Sequence, residues 1–416
     1  MNPHPLRRSA CAAALLLLLS GATHASIYID LPGADGASTA LGHENWISVD
    51  SLQWGAGVSA ALENTGSAWQ VSRPSFSDIV WSQQADISVP RLMNKLFTRS
   101  ITEKSTIDLT RTDSRGSETT YLQLKTEKVA MTGVSLSNGS VSASQAYSKI
   151  QMSYTPSSTG KDAGSKIVAS YDLVTEKGTL SGARAPLTSG GGTSVAPGIY
   201  MRLGSGNDAI AGEVTGEAYR NWIQIDSAQL GVGASYSPAT RSVSAPSFSE
   251  LSITQAFDQT TPVVFNRLVT GKSVGEVVVD YVSVYGGGRD PAAYMRLVFQ
   301  DVVFTGLSLS SGGDQPYVSE SMSFSRMSQT VWELDETGKA TGSSSYGYDL
   351  RAQKALDDAL QGASVSNFGN GRLAAMAAGS EAPPPAPAPI PEPRTALMLL
   401  AGLGVLAIAA KRRLPT

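Results

Sequence analysis

The sequence predicts a mainly β fold made of two tandem copies of one domain. Three observations carry that reading. A long stretch is written twice, most segments alternate with a period of two, and each copy holds one proline-opened stretch at helical spacing.

The duplication is plainest in NWISVDSLQWG, Asn45 to Gly55, and NWIQIDSAQLG, Asn221 to Gly231, which lie 176 positions apart. Ile27-Tyr28-Ile29 is echoed by Ile199-Tyr200-Met201, and PSFSDI from Pro74 by PSFSEL from Pro246. Pro90, Leu92, Asn94, Lys95 and Leu96 return as Pro262, Val264, Asn266, Arg267 and Leu268. Tyr121 to Leu124 matches Tyr294 to Leu297, and Thr132 to Leu136 matches Thr305 to Leu309. One order kept at such an offset means two domains, since solenoid units run only ~20–50 residues. A domain of roughly 150 residues buries ~70% of its unfolded-chain surface, enough for a core without staples.

Within a copy, Val277, Val279, Tyr281 and Ser283 alternate with Val278, Asp280 and Val282, and Met295, Leu297 and Phe299 with Arg296, Val298 and Gln300. That is strand periodicity. Gly286 to Pro291 and Asp113 to Gly116 read as hairpin loops between such runs. Leu92, Met93, Leu96 and Phe97, like Val264, Phe265, Leu268 and Val269, recur at helical spacing. Pro90 and Pro262 sit where a helix starts, because a proline's missing N–H is not needed there. Thr261 is placed as N-cap and Gly271 as the C-terminal stop. Many short strands with one helix imply a barrel or a sandwich.

Both chain ends carry addresses. Arg7 and Arg8 precede an apolar run from Ala10 to Leu19, and Thr23-His24-Ala25 leads to a cleavage point between Ala25 and Ser26. This predicts a secretory signal over residues 1–25. Its removal takes away Cys11, His4 and His24, leaving a chain without thiols and with His43 as its one histidine. Disulfides, thiolate catalysis and Cys/His zinc sites are thereby excluded, and His43 is read as a polar loop residue. The C-terminus places Pro391-Glu392-Pro393 before an uncharged run, Thr395 to Ala410, and then Lys411, Arg412 and Arg413. This resembles the PEP-CTERM sorting signal. The resemblance implies handling by an exosortase-type membrane protease in a bacterium that makes exopolysaccharide. The run is short for a bilayer span, so a transient membrane passage with thinning is expected, with the basic cluster left inside.

The net charge is −3 and no basic stripe occurs, which argues against nucleic acid. No Walker loop or dinucleotide fingerprint appears, and no cofactor is expected. Asp50 and Asp226 stand at equivalent places and read as strand-end acids, although paired carboxylates also serve glycosidases. Asp301, Asp314 and Glu320 around Ser310 to Gly313 match no calcium loop and read as solvated turn residues. Trp46, Trp54 and Trp222 are read as structural anchors, in the core or at an interface.

Trp46 to Ser51 followed by Trp54-Gly55, then Pro74-Ser75-Phe76, then Ser88 to Met93, resembles Hcp, the tube-protein family of type VI secretion. So does Tyr147 to Tyr154 with Ser170 to Leu173 after it; the second copy is looser, with Leu230 in place of Trp54. The resemblance implies two Hcp-like antiparallel β-barrels, each with one short helix, over 26–184 and 198–360. A Gly/Ser linker over 185–197 joins them, and an Ala/Pro-rich linker over 361–390 leads to the sorting signal at 391–416. It further implies rings of six barrels, here from three chains, and a structural rather than enzymatic role. A tube protein of type VI secretion carries no signal peptide, so the expected place of this chain is the cell surface or an exopolysaccharide matrix. The alternatives are a true type VI tube component and a secreted protein that binds or hydrolyses polysaccharide. Leu62 to Trp69 is expected, by the same resemblance, to make subunit contacts.

Overall fold

In the computed structural model, residues 25–63, 69–112, 117–156, 166–187, 195–285, 290–312 and 315–356 are described. Both terminal addresses therefore lie outside the described residues, except Ala25 and Ser26, which open the first strand.

The first barrel runs β1 Ala25–Asp30, β2 Ile47–Val49, β3 Ser51–Gly57, β4 Ala60–Leu62, β5 Trp69–Val71, β6 Ser75–Phe76 and β7 Ile79–Gln84. After α1 Val89–Thr98 it continues with β8 Ile101–Thr112, β9 Glu118–Ser137, β10 Ser140–Ala146, β11 Lys149–Tyr154, β12 Ile167–Asp172 and β13 Lys177–Ser181. The second repeats the plan. Its strands are β14 Gly198–Leu203, β15 Ile223–Ile225, β16 Ser227–Gln229, β17 Val232–Gly233, β18 Tyr236–Ser237, β19 Ser242–Val243, β20 Ser247–Phe248 and β21 Leu251–Ala256. Then come α2 Thr261–Thr270, β22 Val274–Tyr285, β23 Asp290–Ser311, β24 Tyr317–Ser323, β25 Arg326–Leu334, β26 Ala340–Asp349 and β27 Lys354–Ala355.

All pairings are antiparallel. In barrel 1 the long β9 holds β8 on one side, and on the other β11 along its first half and β10 along its second. β23 does the same with β22, β25 and β24. Alternation places Leu52, Trp54, Ile79, Trp81, Ile107, Leu109, Leu122 and Leu124 inward, each buried. The alternation along β22 is not one of buried and exposed sides, because Val277, Val278, Val279 and Asp280 are all buried. Their outer side is covered by a second, small apolar cluster of Val195, Tyr200, Tyr219 and Val282 with Trp222 packed on it.

Both helices follow a proline in their first turn. α2 ends at Gly271 with φ 63°, a left-handed stop that glycine adopts without steric cost. α1 ends in the same way at Arg99, φ 53°. The expected N-cap shifts by one residue, to Thr260, whose side chain makes no cap bond. The start is held instead by Asp258, whose carboxylate accepts the N–H and the hydroxyl of Thr260 at 2.9 and 2.5 Å. Asp86 accepts from Ser88 in the same manner at 2.9 and 2.5 Å.

Candidate functional site: the seam between the barrels

The two barrels share one continuous sheet. β3 of the first pairs with β23 of the second, from Leu52 opposite Ser311 to Gly57 opposite Gly306, and the ladder ends with Val58 N–H on the Thr305 carbonyl at 2.9 Å. An edge strand left bare would expose a row of unpaired N–H and C=O groups, so this pairing satisfies two edges at once.

Beside the ladder, α2 works as a plug. Phe265, fully buried, enters an aromatic socket of barrel 1, 5.5 Å from the Trp54 ring and 6.4 Å from Phe76. Phe76 in turn stacks on Tyr171 at 5.3 Å, and Trp54 donates its indole N–H to the Tyr147 hydroxyl. Gly178 on β13 permits the approach, because a Cβ there would lie 3.0 Å from Thr270 and 3.2 Å from Val269. The β4–β5 hairpin reaches over the far end, where Trp69 donates to the Asp301 carbonyl at 2.7 Å. At the near end, Tyr154 donates to Glu213 at 3.1 Å and packs on Phe257 at 5.2 Å. Burial and Glu213 together push the Tyr154 phenol well above its ordinary range.

The same parts stand at the outer ends of the pair without partners among the described residues. Phe97 on α1 is 77% exposed, where its counterpart Val269 is 6%. Ile87 is 57% exposed against 1% for Gln259, and Leu136 on β9 53% against 0% for Leu309 on β23. Barrel 2 offers the complementary half. Leu230, Phe248, Phe324 and Tyr348 take the places of Trp54, Phe76, Tyr147 and Tyr171, with Phe248 5.4 Å from Tyr348, and among the described residues no helix enters them. Val243 of its β18–β19 hairpin is 66% exposed; Val71, its counterpart, lies 3.4 Å from where a Cβ on Gly271 would stand.

A second repeated constellation lies away from the seam. Tyr28 stacks on His43 at 4.4 Å, Trp46 meets His43 edge-on at 4.8 Å, and His43 Nε2 lies 3.1 Å from Asp108. In barrel 2, Tyr200 stacks on Tyr219 at 4.6 Å, Trp222 meets it edge-on at 4.9 Å, and the Tyr219 hydroxyl donates to Asp280 at 3.2 Å. His43 lies in the loop before β2, and there it is a buried packing residue. Arg296 clamps Asp280 through two bonds of 2.6 Å, where barrel 1 uses neutral Gln123 on Asp108 at 2.8 Å.

Among the other singled-out residues, Trp54 is buried in the socket wall, while Trp46 and Trp222 are half-buried. Pro90 is exposed and Pro262 buried. Asp50 and Asp226 both stand exposed at strand ends, one per barrel. Glu320 is no turn residue; it is buried within β24. Asp301, on β23, accepts from the Ser325 hydroxyl at 2.7 Å, and Asp314 lies outside the described residues. No group of three acidic, histidine or cysteine side chains that could hold a metal occurs among the described residues.

The family model described as "Type VI secretion system effector, Hcp" matches residues 28–155 and again 200–331, well over half of the chain. The chain belongs to the Hcp family. A "PEP-CTERM protein-sorting motif" matches residues 389–413. Among solved structures, the chain is similar to Hcp1 from Salmonella typhimurium at 17% identity and TM-score 0.31, over 38% of this chain and 100% of that one. It is also similar to a type VI secretion system effector from Yersinia pestis, at 20% and 0.26 over 35% and 98%. A third is the secreted protein Hcp3 from Pseudomonas aeruginosa, at 17% and 0.24 over 36% and 98%. Among curated proteins none matches the chain. The two Hcp matches coincide with the two barrels, so the repeat is a duplicated Hcp unit.

Proposed function

We propose that this protein is an exported, non-enzymatic Hcp-like building block whose chains join head to tail, three chains closing a ring of six barrels. The observation that carries this is the asymmetry of the seam. Inside the chain a complete barrel-to-barrel joint is built from an edge strand, a helix plug and a hairpin clasp. The outer ends of the same pair present its two unmated halves, Phe97 and Leu136 on one side and the Phe248–Tyr348 socket on the other. Repeating one heterologous contact generates a ring when the rotation closes. The PEP-CTERM match supports export and handling by an exosortase-type protease, and with it a place at the cell surface or in an exopolysaccharide matrix.

The test is the mass of the chain from Ser26 to residue 356 by light scattering, with negative-stain images. Trimers with sixfold-looking rings are expected. A chain that remains monomeric at high concentration refutes the ring. A second reading, a working type VI tube component, is favoured by the family match alone. It requires the chain to stay in the cytoplasm on cell fractionation.

A further inference from the structure

We infer that the outer joint carries a different key from the joint inside the chain. An apolar corner, Ala37 and Ile87 of one copy against Tyr294, Val331 and Tyr346 of the next, admits a second copy of this chain and refuses the polar pairing that closes the barrels internally. The inference rests on the building-block reading and adds the residues that decide which face mates with which.

The intrachain joint supplies the template. Its corner is polar: Tyr154 of barrel 1 donates to Glu213 at 3.1 Å, and the Gln259 N–H donates to the same carboxylate at 3.2 Å. Phe257 packs on the Tyr154 ring at 5.2 Å. Strand register fixes the counterparts in the other barrel. Tyr154 stands opposite Leu122, and Val331 stands opposite Met295. Ala169 faces Met152 as Tyr346 faces Gln329. On the receiving side, the Gly36 N–H donates to the Asn45 carbonyl as that of Gly212 does to Asn221, which aligns Ala37 with Glu213. Ala85 and Ile87 likewise take the places of Phe257 and Gln259.

Both sides of the outer joint have therefore changed together. The phenol hydroxyl is absent at Val331, and the carboxylate that receives it is absent at Ala37. Tyr121, Tyr154 and Ala169 are buried in barrel 1, whereas Tyr294, Val331 and Tyr346 are 39 to 42% exposed. Ala37, Ala85 and Ile87 are exposed as well. Losing one member of a polar pair strands the other, but losing both leaves two apolar faces that gain by covering each other.

The plug is repacked in the same sense. Inside the chain the bulk lies where Phe265 meets Trp54, and Gly178 leaves room for Val269. At the outer ends Met93 and Leu230 are slimmer at the first point, while Phe97 and Ala355 are larger at the second. α2 could not sit on barrel 2 as it sits on barrel 1, because a Cβ at the place of Gly178 lies 3.2 Å from Val269. That pairing would also set Glu213 against Val331. The converse pairing, α1 on barrel 1, would press Phe97 toward β13 and leave the Tyr154 hydroxyl opposite Ala37. Each wrong pairing meets a steric or a polar mismatch, and such mismatches discriminate as much as the matched contacts do.

The test is association of the chain from Ser26 to residue 356, measured by light scattering over a concentration series. Ala37→Glu should weaken association about tenfold or more, because it sets a carboxylate against Val331 in a covered apolar corner. Adding Val331→Tyr rebuilds the Tyr154–Glu213 pair at the outer joint and should return association to within about threefold of the parent. Both positions are exposed in the chain, so the urea midpoint should hardly move. Val331→Glu, rescued by Ile87→Lys, asks the same question if the first variant does not fold. Normal association of Ala37→Glu and Val331→Glu overturns the key, and so does a loss that neither second substitution relieves. A parent chain that stays monomeric at high concentration removes the ring reading itself, whereas a parent trimer with indifferent variants removes only the key.

Discussion

The two helices are ten residues each, begin with a proline in the first turn and end in a left-handed residue, yet they live in different solvents. α2 buries Val263, Val264, Phe265, Leu268 and Val269, whereas α1 buries only Val89 and Leu92. Among the described residues α2 is shared by two barrels and α1 touches one. The difference teaches that the helix of this fold is an interface element first and a core element second. A tandem chain carries one mated copy and one unmated copy of the same joint.

Six substitutions probe the difference between the two copies. The largest effect is expected from Phe265→Ala, which empties the socket between the barrels and should cost about 3–5 kcal/mol of unfolding free energy, read by urea titration. Met93→Ala, at the equivalent place on α1, should cost far less in the isolated chain; equal costs would deny the asymmetry. Arg296→Ala leaves Asp280 buried without its cation, with the Tyr219 hydroxyl still bonded, and an expected loss of about 3–5 kcal/mol in the same titration. Gln123→Ala, which strands the equivalent Asp108 with His43 and Thr120 still bonded, should lose about 1–3 kcal/mol. Trp69→Phe removes one hydrogen bond of the clasp and should lower stability by about 1 kcal/mol, seen as a small fall in melting temperature. The smallest effect on stability is expected from Phe97→Ser, within about 0.5 kcal/mol because the side chain is exposed. It should nevertheless abolish association of chains in light scattering, and trimers of normal mass would show that α1 is not the mating face.

Much of the fold was legible before any coordinates. The repeat of NWISVDS as NWIQIDS marks two barrels because both copies must close the same sheet, and alternation along Met295 to Phe299 marks strands because one face is buried. Pro262 and Gly271 bound a helix through backbone chemistry alone. The candidate site was legible only in its parts. Trp54 was singled out, but Phe265 was read as one more apolar helix position, and nothing in its spacing tells a core residue from a plug. Gly178, which lets α2 approach through Val269 and Thr270, sits in Lys177-Gly178-Thr179, a plain strand by local pattern.

Local rules decided what each stretch could become: strand, helix, cap, turn, and the pairing of one copy with its echo. They could not decide where His43 or Glu320 would lie, because burial is set by what the rest of the chain lays over a residue. His43 is covered by Tyr28 of β1 and by Trp46 of its own loop, and Glu320 is enclosed opposite Ile253, at the place that Ala143 takes in the other barrel. The joining of β3 to β23 was likewise beyond any window of sequence, since edge strands satisfy their backbone groups with whichever edge the tertiary fold brings near.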